Sequence, residues 1–357
     1  MSRFVHTSWH LSSQCKGDGV VSIKKISIVA VLISCLAVSG FSKGQGETNF
    51  PDRPIQNIFP WGPGATYAAS QVVANAMGEN LGVNVSVTST TGASGVKAAM
   101  TVMSKPADGY TIFDGYVAPL ILSPLFGKTD YTFEDFKPLY GVVSNAFTIV
   151  VRKDDDRLPD LTALIEYAKA NPGVLSYSSG ADISLPHMSS ASLLKSTGAV
   201  TRHVPYNDSN EGIKELLAGE LDFNVMNSGG YNTYKDEVRI LAVLSDLPQP
   251  AFPGMPLVKD FGYSIGLDGL AATGWTWWLV RKETPDDVAE VLRAALKKAL
   301  DDPKIQKQVS DMGYLPMPTD VYNPENYIKE CTLMTEQLKS ALAAIEWEKA
   351  EIKKYNK

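Results

Sequence analysis

From residue 55 onward the apolar positions of the chain switch repeatedly between a period of two and a period near 3.6. Ile55-Gln56-Asn57-Ile58-Phe59 reads as a short strand and Pro60-Trp61-Gly62-Pro63-Gly64-Ala65-Thr66 as a Gly-rich loop, after which Val73, Met77 and Leu81 recur at helical spacing. Residues 83–87 alternate as a second strand, Thr90-Thr91-Gly92-Ala93-Ser94-Gly95 forms a second glycine loop, and Val96, Ala99, Met100 and Met103 mark one face of a helix. Asp108-Gly109 turns into a third strand at residues 110–113, and a fourth apolar run covers residues 139–143.

The pattern then restarts. A strand at residues 147–151 ends in Arg152-Lys153, and Asp160 caps a helix whose buried face is Leu161, Leu164, Ile165 and Ala168, stopped by Asn171-Pro172-Gly173. Leu175-Ser176-Tyr177 leads into a polar loop, residues 178–184, and a helix from about Pro186 that Gly198 closes. Residues 202–206 read as a strand, and a helix carrying Ile213, Leu216 and Leu217 is stopped by Gly219. Residues 221–225 form the next strand, ending at Asn227-Ser228-Gly229-Gly230, and residues 240–244 another. The second half therefore repeats the first in topology, which predicts two α/β sheets with the loops at their carboxyl ends facing one crevice, where ligands of open α/β sheets bind.

After a Pro-rich connection, residues 275–281 form a strand ending in a basic residue, as residues 147–151 do, and the two are read as the crossings between lobes. Thr284-Pro285-Asp286-Asp287 starts a helix as N-cap, Pro at N1 and acids in the first turn, with Val288, Val291, Leu292, Ala295, Leu296 and Ala299 as its buried stripe. A further helix ends at Gly313 and Pro324 opens a long C-terminal one, both expected to pack back on the first lobe. The expected lobes are residues 49–145 plus 272–357, and residues 146–271.

The start of the chain has different chemistry. Lys24-Lys25, an apolar run from Ile26 to Val38 and the small residues after it make a secretory signal within residues 1–40, too short for a membrane span, with translation starting nearer Val20 or Val21. Two readings of its end stand: Leu32-Ile33-Ser34-Cys35 as a lipobox with Cys35 lipidated, or cleavage near Ser39 or Gly40. The protein is thus expected to be exported, either periplasmic or lipid-anchored at the outer face of the cytoplasmic membrane.

Removing residues 1–40 takes the formal charge from −6 to −9, which argues against nucleic acid or an anionic membrane surface as partner. It leaves Cys331, with Cys35 only as an anchor, and His187 and His203, which excludes a disulfide framework and argues against a zinc site. Asp154-Asp155-Asp156 lacks the spacing and glycine of a calcium loop and reads as a solvated turn. No cofactor is expected.

A Gly-rich loop feeding a helix aims unpaired backbone N–H groups at whatever lies above the strand end, and this is an anion site without a charged side chain. Gly64, Ala65 and Thr66 are assigned to one end of a ligand on that ground, and Thr91, Gly92, Ala93 and Ser94 offer the same from the second helix. Ser179, Gly180 and Ser184 are the second-lobe counterparts. His187 is either a structural histidine or a ligand contact, while Tyr206, Asn207, Asn227 and Ser228 are strand-end residues that either line the crevice or cap turns. Asp182 is a loop cap or a contact to a cationic group, Trp61 and Tyr67 flank the first loop, and Trp275, Trp277 and Trp278 wedge the hinge and core.

The order of motifs resembles the substrate-binding proteins of tripartite tricarboxylate transporters, the Bordetella uptake gene family. The matching pieces include Phe50-Pro51-Asp52-Arg53-Pro54-Ile55, Gly64-Ala65-Thr66, Gly92-Ala93-Ser94-Gly95, Pro106-Ala107-Asp108-Gly109-Tyr110-Thr111 and Ala170-Asn171-Pro172-Gly173. Pro186-His187, His203-Val204-Pro205-Tyr206 and Leu216-Leu217-Ala218-Gly219-Glu220 continue the series, and the match runs in order from about residue 50 to 320. The resemblance implies a two-lobed, type II periplasmic-binding-protein-like α/β fold of two mixed, mostly parallel sheets with helices on both faces. It further implies a monomeric receptor that closes on a small carboxylate, held by backbone N–H groups, hydroxyls and water, and delivers it to a membrane permease. Tyr67 stands where the family's loop carries Asp, Trp61 and Pro63 replace smaller residues, and Asp182 replaces a small one, which changes the charge and size of the cleft.

The competing reading is an exported serine hydrolase using Ser94 or Ser184 with His187. Against it, Gly92-Ala93-Ser94-Gly95-Val96 lacks the last glycine of the nucleophile elbow, and nothing in the sequence places an acid beside His187.

Overall fold

The computed structural model describes residues 50–206, 209–245, 248–265 and 274–355. The signal segment, Cys35, Asn207 and the expected lobe boundary at 272 lie outside the described residues.

The first sheet is built from β1 (Ile55–Phe59), β2 (Val85–Ser89), β3 (Thr111–Tyr116), β4 (Phe136–Asn145), β10 (Gly274–Arg281) and β11 (Leu315–Pro316), in the order β11-β4-β10-β3-β1-β2. The second contains β5 (Phe147–Arg152), β6 (Ser176–Ser178), β7 (Arg202–His203), β8 (Phe223–Asn227) and β9 (Val238–Leu244), in the order β7-β6-β8-β5-β9. The orders correspond strand for strand: β2-β1-β3-β10-β4 in one sheet and β7-β6-β8-β5-β9 in the other. In each, three parallel strands are followed by a strand antiparallel to both its neighbours, β10 or β5. Antiparallel pairing thus takes a larger share than the alternation of strands and helices suggests, because each sheet admits one strand from the other side of a crossing. The outward crossing is Ala146, the single residue between β4 and β5, so β5 is not itself the bridge, and β10 pairs along its length with β3 and β4 of the first sheet.

Apolar faces on both sides of each sheet are covered by helices, as parallel strands require. In the first half, α1 (Ala65–Leu81) buries Val73, Ala74 and Met77 and packs on α8 (Asp286–Leu300), which in turn lies on β4. Next to α1 also lies α9 (Pro303–Asp311), while α2 (Val96–Met103) packs on β1 and β3. A π-helical turn at Ala118–Leu122 and the short α3 (Ser123–Leu125) follow β3. In the second half, α4 (Leu161–Ala170), α5 (Leu185–Thr197), α6 (Ser209–Ala218) and α7 (Ser228–Tyr234) follow in order. Asp160 caps α4 by accepting the Ala163 N–H at 2.8 Å, and Gly198 ends α5 in the left-handed conformation, as their sequences suggest.

Several local expectations are corrected. Met100 and Val291 are 52% and 39% exposed, so the apolar stripes of α2 and α8 are narrower than their sequences imply. Pro285, not Thr284, is the N-cap of α8, and the Thr284 side chain is buried. Asp155 is not solvated: Arg157 grips its carboxylate at 3.0 and 2.7 Å and Asp222 at 2.8 Å, and that guanidinium holds the Asp155 carboxyl below its ordinary range. Trp275, Trp277 and Trp278 are fully buried on β10, in the core as expected.

The C-terminal helix α10 (Tyr327–Tyr355) also departs from expectation. It begins against the first sheet, where Tyr327 packs edge-on to Trp277 and donates its hydroxyl proton to the Phe133 carbonyl at 3.0 Å. It then runs on along α5 of the second half instead of folding back. At about 1.5 Å per residue, its 29 residues span about 43 Å, long enough to touch both sheets. Among the described residues no helix is long and apolar enough to cross a membrane.

Candidate functional site

The loop after β1 delivers α1 with an unprotected start. Gly64 is its N-cap with an extended backbone and no side-chain cap, residues 62–65 are exposed, and no acidic residue lies in the first turn. A helix start of this kind presents N–H groups without intrahelical acceptors and a partial positive charge. The Thr66 hydroxyl hydrogen-bonds the Tyr314 hydroxyl at 2.7 Å, which steers it toward the same end. Tyr67 donates its hydroxyl proton to the Val87 carbonyl at 2.9 Å, and Trp61 packs edge-on to Tyr116, so both brace the loop from its flanks.

The loop after β2 lies beside it, since the Thr90 N–H bonds the Phe59 carbonyl at 2.7 Å. Thr91, Gly92, Ala93 and Ser94 are all exposed, and the backbone from Gly92 to Gly95 has φ of 141°, 47°, 53° and 88°. Ala93 and Ser94 have a Cβ and occupy the left-handed region at a cost of order 1–3 kcal/mol each, the kind of local strain that clusters at ligand-holding loops. Beneath Gly95 a Cβ would come within 3.1 Å of Pro60 and 3.0 Å of Pro119, so the loop is seated on the β1 and β3 ends.

In the second half β6 and β8 are parallel neighbours, which puts their following loops side by side. After β8, Asn227 caps α7 by accepting the Gly230 N–H at 2.8 Å. The next residues meet the first half directly. A Cβ on Gly229 would lie 2.8 Å from the Ala65 Cβ and 3.3 Å from the Tyr314 hydroxyl, and one on Gly313 would lie 3.1 Å from the Ser228 Cβ. Gly229 is therefore what lets α7 approach the start of α1. The contact places the β1 and β8 loops face to face, with the β2 loop beside the first and the β6 loop beside the second.

The β6 loop is held more firmly than its counterpart. Ser184 caps α5 by accepting the His187 N–H at 3.4 Å, Gly180 has φ of 84°, and its carbonyl accepts the Tyr206 N–H at 3.0 Å. Ile183, a β-branched residue, sits at φ of 56° with its N–H donating to His187 Nδ1 at 3.0 Å. That bond puts the ring proton of His187 on Nε2, which faces a Glu348 carboxylate oxygen at 2.8 Å, while an Asp182 oxygen lies 3.2 Å from Nδ1. Tyr177 donates to the other Glu348 oxygen at 2.7 Å. Asp182 is paired with Lys349 at 3.1 Å; burial raises its carboxyl, but Lys349 outweighs burial and leaves it below the ordinary carboxylate range. His187 is buried with both ring nitrogens engaged, so it sits behind the loop rather than on its open face.

The same contacts bear on two other chemistries. Ligand atoms of Asp182, His187 and His203 fall within 4.8 Å of one another. Yet the two imidazoles stack with centroids 3.7 Å apart and planes within 16°, so a metal ion could not lie in both ring planes at bonding distance. As for nucleophilic catalysis, the Ser184 hydroxyl is a helix cap and the His187 ring points to Glu348, so they do not form a nucleophile and base pair. Ser179 does hydrogen-bond His203 Nε2 at 2.9 Å, but Ser179 is buried and burial, then His187, push the His203 imidazole down to about 3, far too weak a base.

Beneath α1 lies a buried polar group that no sequence motif marks. Ser70, one turn after Thr66, donates to the Asp114 carboxylate at 2.5 Å. Burial pushes the Asp114 carboxyl up to about 7, against smaller opposing effects of Ser70, then Trp278 and Asn57. Of these, Ser70 alone reaches hydrogen-bonding geometry; the Asn57 amide, Trp278 Nε1 and one Asp114 oxygen have no protein partner. Tyr314, Glu348 and Lys349 are equally silent in the sequence: Tyr314 follows a glycine that reads simply as a helix stop, and the other two are ordinary members of a charged helix.

Two sheets of matching strand order, with the β1 loop of one meeting the β8 loop of the other, define a two-lobed, periplasmic-binding-protein-like α/β fold. Comparison with known proteins carries this further. The profile of the tripartite tricarboxylate transporter family receptor matches residues 69–345, and the chain belongs to that family of solute-binding receptors. It is 28% identical over 306 residues to the UPF0065 protein in the tcbD-tcbE intergenic region of Pseudomonas sp. (strain P51), covering 85% of this chain and 89% of that one. In fold it is similar to an R. palustris protein solved with adipate (TM-score 0.72, 21% identity, covering 83% of this chain and 98% of that chain). It is likewise similar to MatC from Rhodopseudomonas palustris with bound malate (TM-score 0.67, 20% identity, covering 83% and 100%).

Proposed function

We propose that the protein is an extracytoplasmic receptor that captures a small di- or tricarboxylate, or a related organic acid, between two lobes and presents it to the membrane permease of a tripartite tricarboxylate-type transporter. The lobes are taken as residues 49–145 with 272–357, and residues 146–271, with the far end of α10 reaching across. The observation that carries this reading is the uncapped start of α1 facing Gly229 of the other half. One carboxylate is assigned to the N–H groups of Ala65 and Thr66 with the Thr66 hydroxyl. The far end of the ligand is assigned to the β6 loop, at Ser179, Gly180 and Ser184, of which Ser179 and Gly180 are buried in this structure and become reachable only when the lobes part, with the Thr91–Ser94 backbone at its side. No arginine among the described residues hydrogen-bonds to these loops and Lys349 is already paired with Asp182, so the charge is assigned to helix ends and amides.

The magnitudes suffice. A helix start contributes ~0.3–1 kcal/mol to an anion, rising to ~2 when partly buried. Three or four charge-assisted hydrogen bonds at ~1.5–3 kcal/mol each bring the sum to the roughly 8 kcal/mol that micromolar affinity needs. The adipate and malate held by proteins of similar fold are of the size and charge the gap is proposed to take. Closure buries the ligand and shifts the population toward the form the permease recognises.

The test is a thermal-shift and calorimetric panel of mono-, di- and tricarboxylates and acidic amino acids on the mature protein. At least one dicarboxylate stabilises it, by about 2.7 kcal/mol at a hundredfold excess over Kd. A panel without a single shift contradicts the proposal.

A further inference from the structure

We infer that Glu348 and Lys349 of α10 are positioning residues for ligand capture, acting through His187 and Asp182 to hold the β6 loop in its binding conformation. This rests on the proposed carboxylate function of that loop.

The loop contains a β-branched residue, Ile183, in a left-handed backbone that it would not adopt unaided. What retains it is the Ile183 N–H to His187 Nδ1 hydrogen bond of 3.0 Å. A neutral imidazole accepts at Nδ1 only if its proton is on Nε2, and Glu348, at 2.8 Å from Nε2, holds the proton there against an Asp182 oxygen 3.2 Å from Nδ1, whose charge Lys349 draws off. Glu348 is itself fixed by the Tyr177 hydroxyl at 2.7 Å and is 4% exposed, so it forms a buried relay from α10 through His187 to the loop backbone. One residue on, Lys349 ties Asp182 at 3.1 Å, which holds the same loop from its exposed side and cancels a negative charge that would otherwise repel an incoming carboxylate. Because α10 is rooted on the first sheet through Tyr327, the loop of the second half takes its position from an element anchored in the first. Glu348 and Lys349 thus act on capture through the loop, and no ligand contact is assigned to either.

The experiment compares full-length mature protein with E348A, E348Q and K349A by amide hydrogen exchange without ligand and by calorimetry with the dicarboxylate that binds wild-type protein most tightly. Glutamine keeps an oxygen acceptor for the His187 Nε2–H, so E348Q is the conservative rescue. In E348A the amides of residues 181–184 exchange at least tenfold faster while those of β8 are unchanged, Kd rises at least tenfold, and E348Q recovers most of both. K349A raises Kd more for a dicarboxylate than for an acidic amino acid, whose ammonium tolerates an unpaired Asp182. Unchanged exchange in E348A and E348Q overturns the relay, exchange that rises equally throughout the chain marks Glu348 as simply structural, and faster loop exchange with unchanged Kd overturns its role in capture. If E348A does not fold, K349A still decides: unchanged exchange of residues 181–184 together with an unchanged Kd ratio between the two ligand classes overturns the proposal. Failure of wild-type protein to bind any acid would instead contradict the proposed function, while the exchange rates would still decide the relay independently.

Discussion

The two halves present equivalent helix starts in opposite states. At α1 the N-cap is a glycine, no side chain reaches back to the first amides, and the loop around it is open to solvent. At α5 the cap is Ser184, and Ile183 and Asp182 are tied down by His187, Glu348 and Lys349. A helix start satisfied by its own side chains has less to offer an anion, whereas a bare one is exposed to water until a ligand arrives. On the proposed function the difference is a division of labour, in which the first half supplies most of the attraction and the second half supplies fixed geometry.

The largest effect expected from altering this contrast is in the support beneath α1. Asp114 is ordinarily deprotonated above about pH 4 in the unfolded chain but holds its proton to about 7 when folded. Native protein therefore binds more protons between those values, and the contribution of this group to stability is greatest below about pH 4 and falls as pH rises to about 7. The full loss is of order 4 kcal/mol. Asp114→Asn removes that fall, so urea denaturation at pH 8 finds the variant more stable than wild-type protein by an amount that shrinks toward pH 4.

Next in size is conversion of the bare start into a capped one. Gly64 has extended backbone angles and open space around the position of a Cβ, so Gly64→Asp places a carboxylate on the amides assigned to the ligand. The variant is more stable by ~0.5–1 kcal/mol and binds carboxylates at least about 100-fold more weakly, opposite signs that calorimetry and melting read together. Gly229→Ala puts a methyl group 2.8 Å from the Ala65 Cβ and obstructs the approach of the halves. A tenfold rise in Kd with an unchanged melting temperature of the ligand-free protein is expected, and small-angle scattering with ligand shows the wider form. The smallest effect is at the pinned start, where Ser184→Ala loses a cap worth ~1 kcal/mol and weakens binding only a few-fold.

The same contrast explains what could be read in advance. The elements of both halves, the duplication and the Gly64–Thr66 loop are written in local periodicity and glycine placement, which need no partner elsewhere in the chain. Strand order was not legible, because the insertion of β10 between β3 and β4 depends on pairing across more than a hundred residues. The role of His187 was legible only as two alternatives, since its partner Glu348 lies 161 positions away. Asp155 read as solvent-facing because the arginine that buries it acts through the fold, by also bridging to Asp222 across 65 positions. Val291 and Met100 failed for a simpler reason: helical spacing marks a stripe but not its width.

The most direct test of the bare-start account is a crystal structure of the protein with whichever dicarboxylate gives the largest thermal shift. A carboxylate oxygen within about 3.1 Å of the Ala65 and Thr66 backbone nitrogens, with no arginine or lysine ammonium in contact with it, is the result predicted. A ligand whose carboxylates are paired with cationic side chains, with those two amides facing only water, would contradict it.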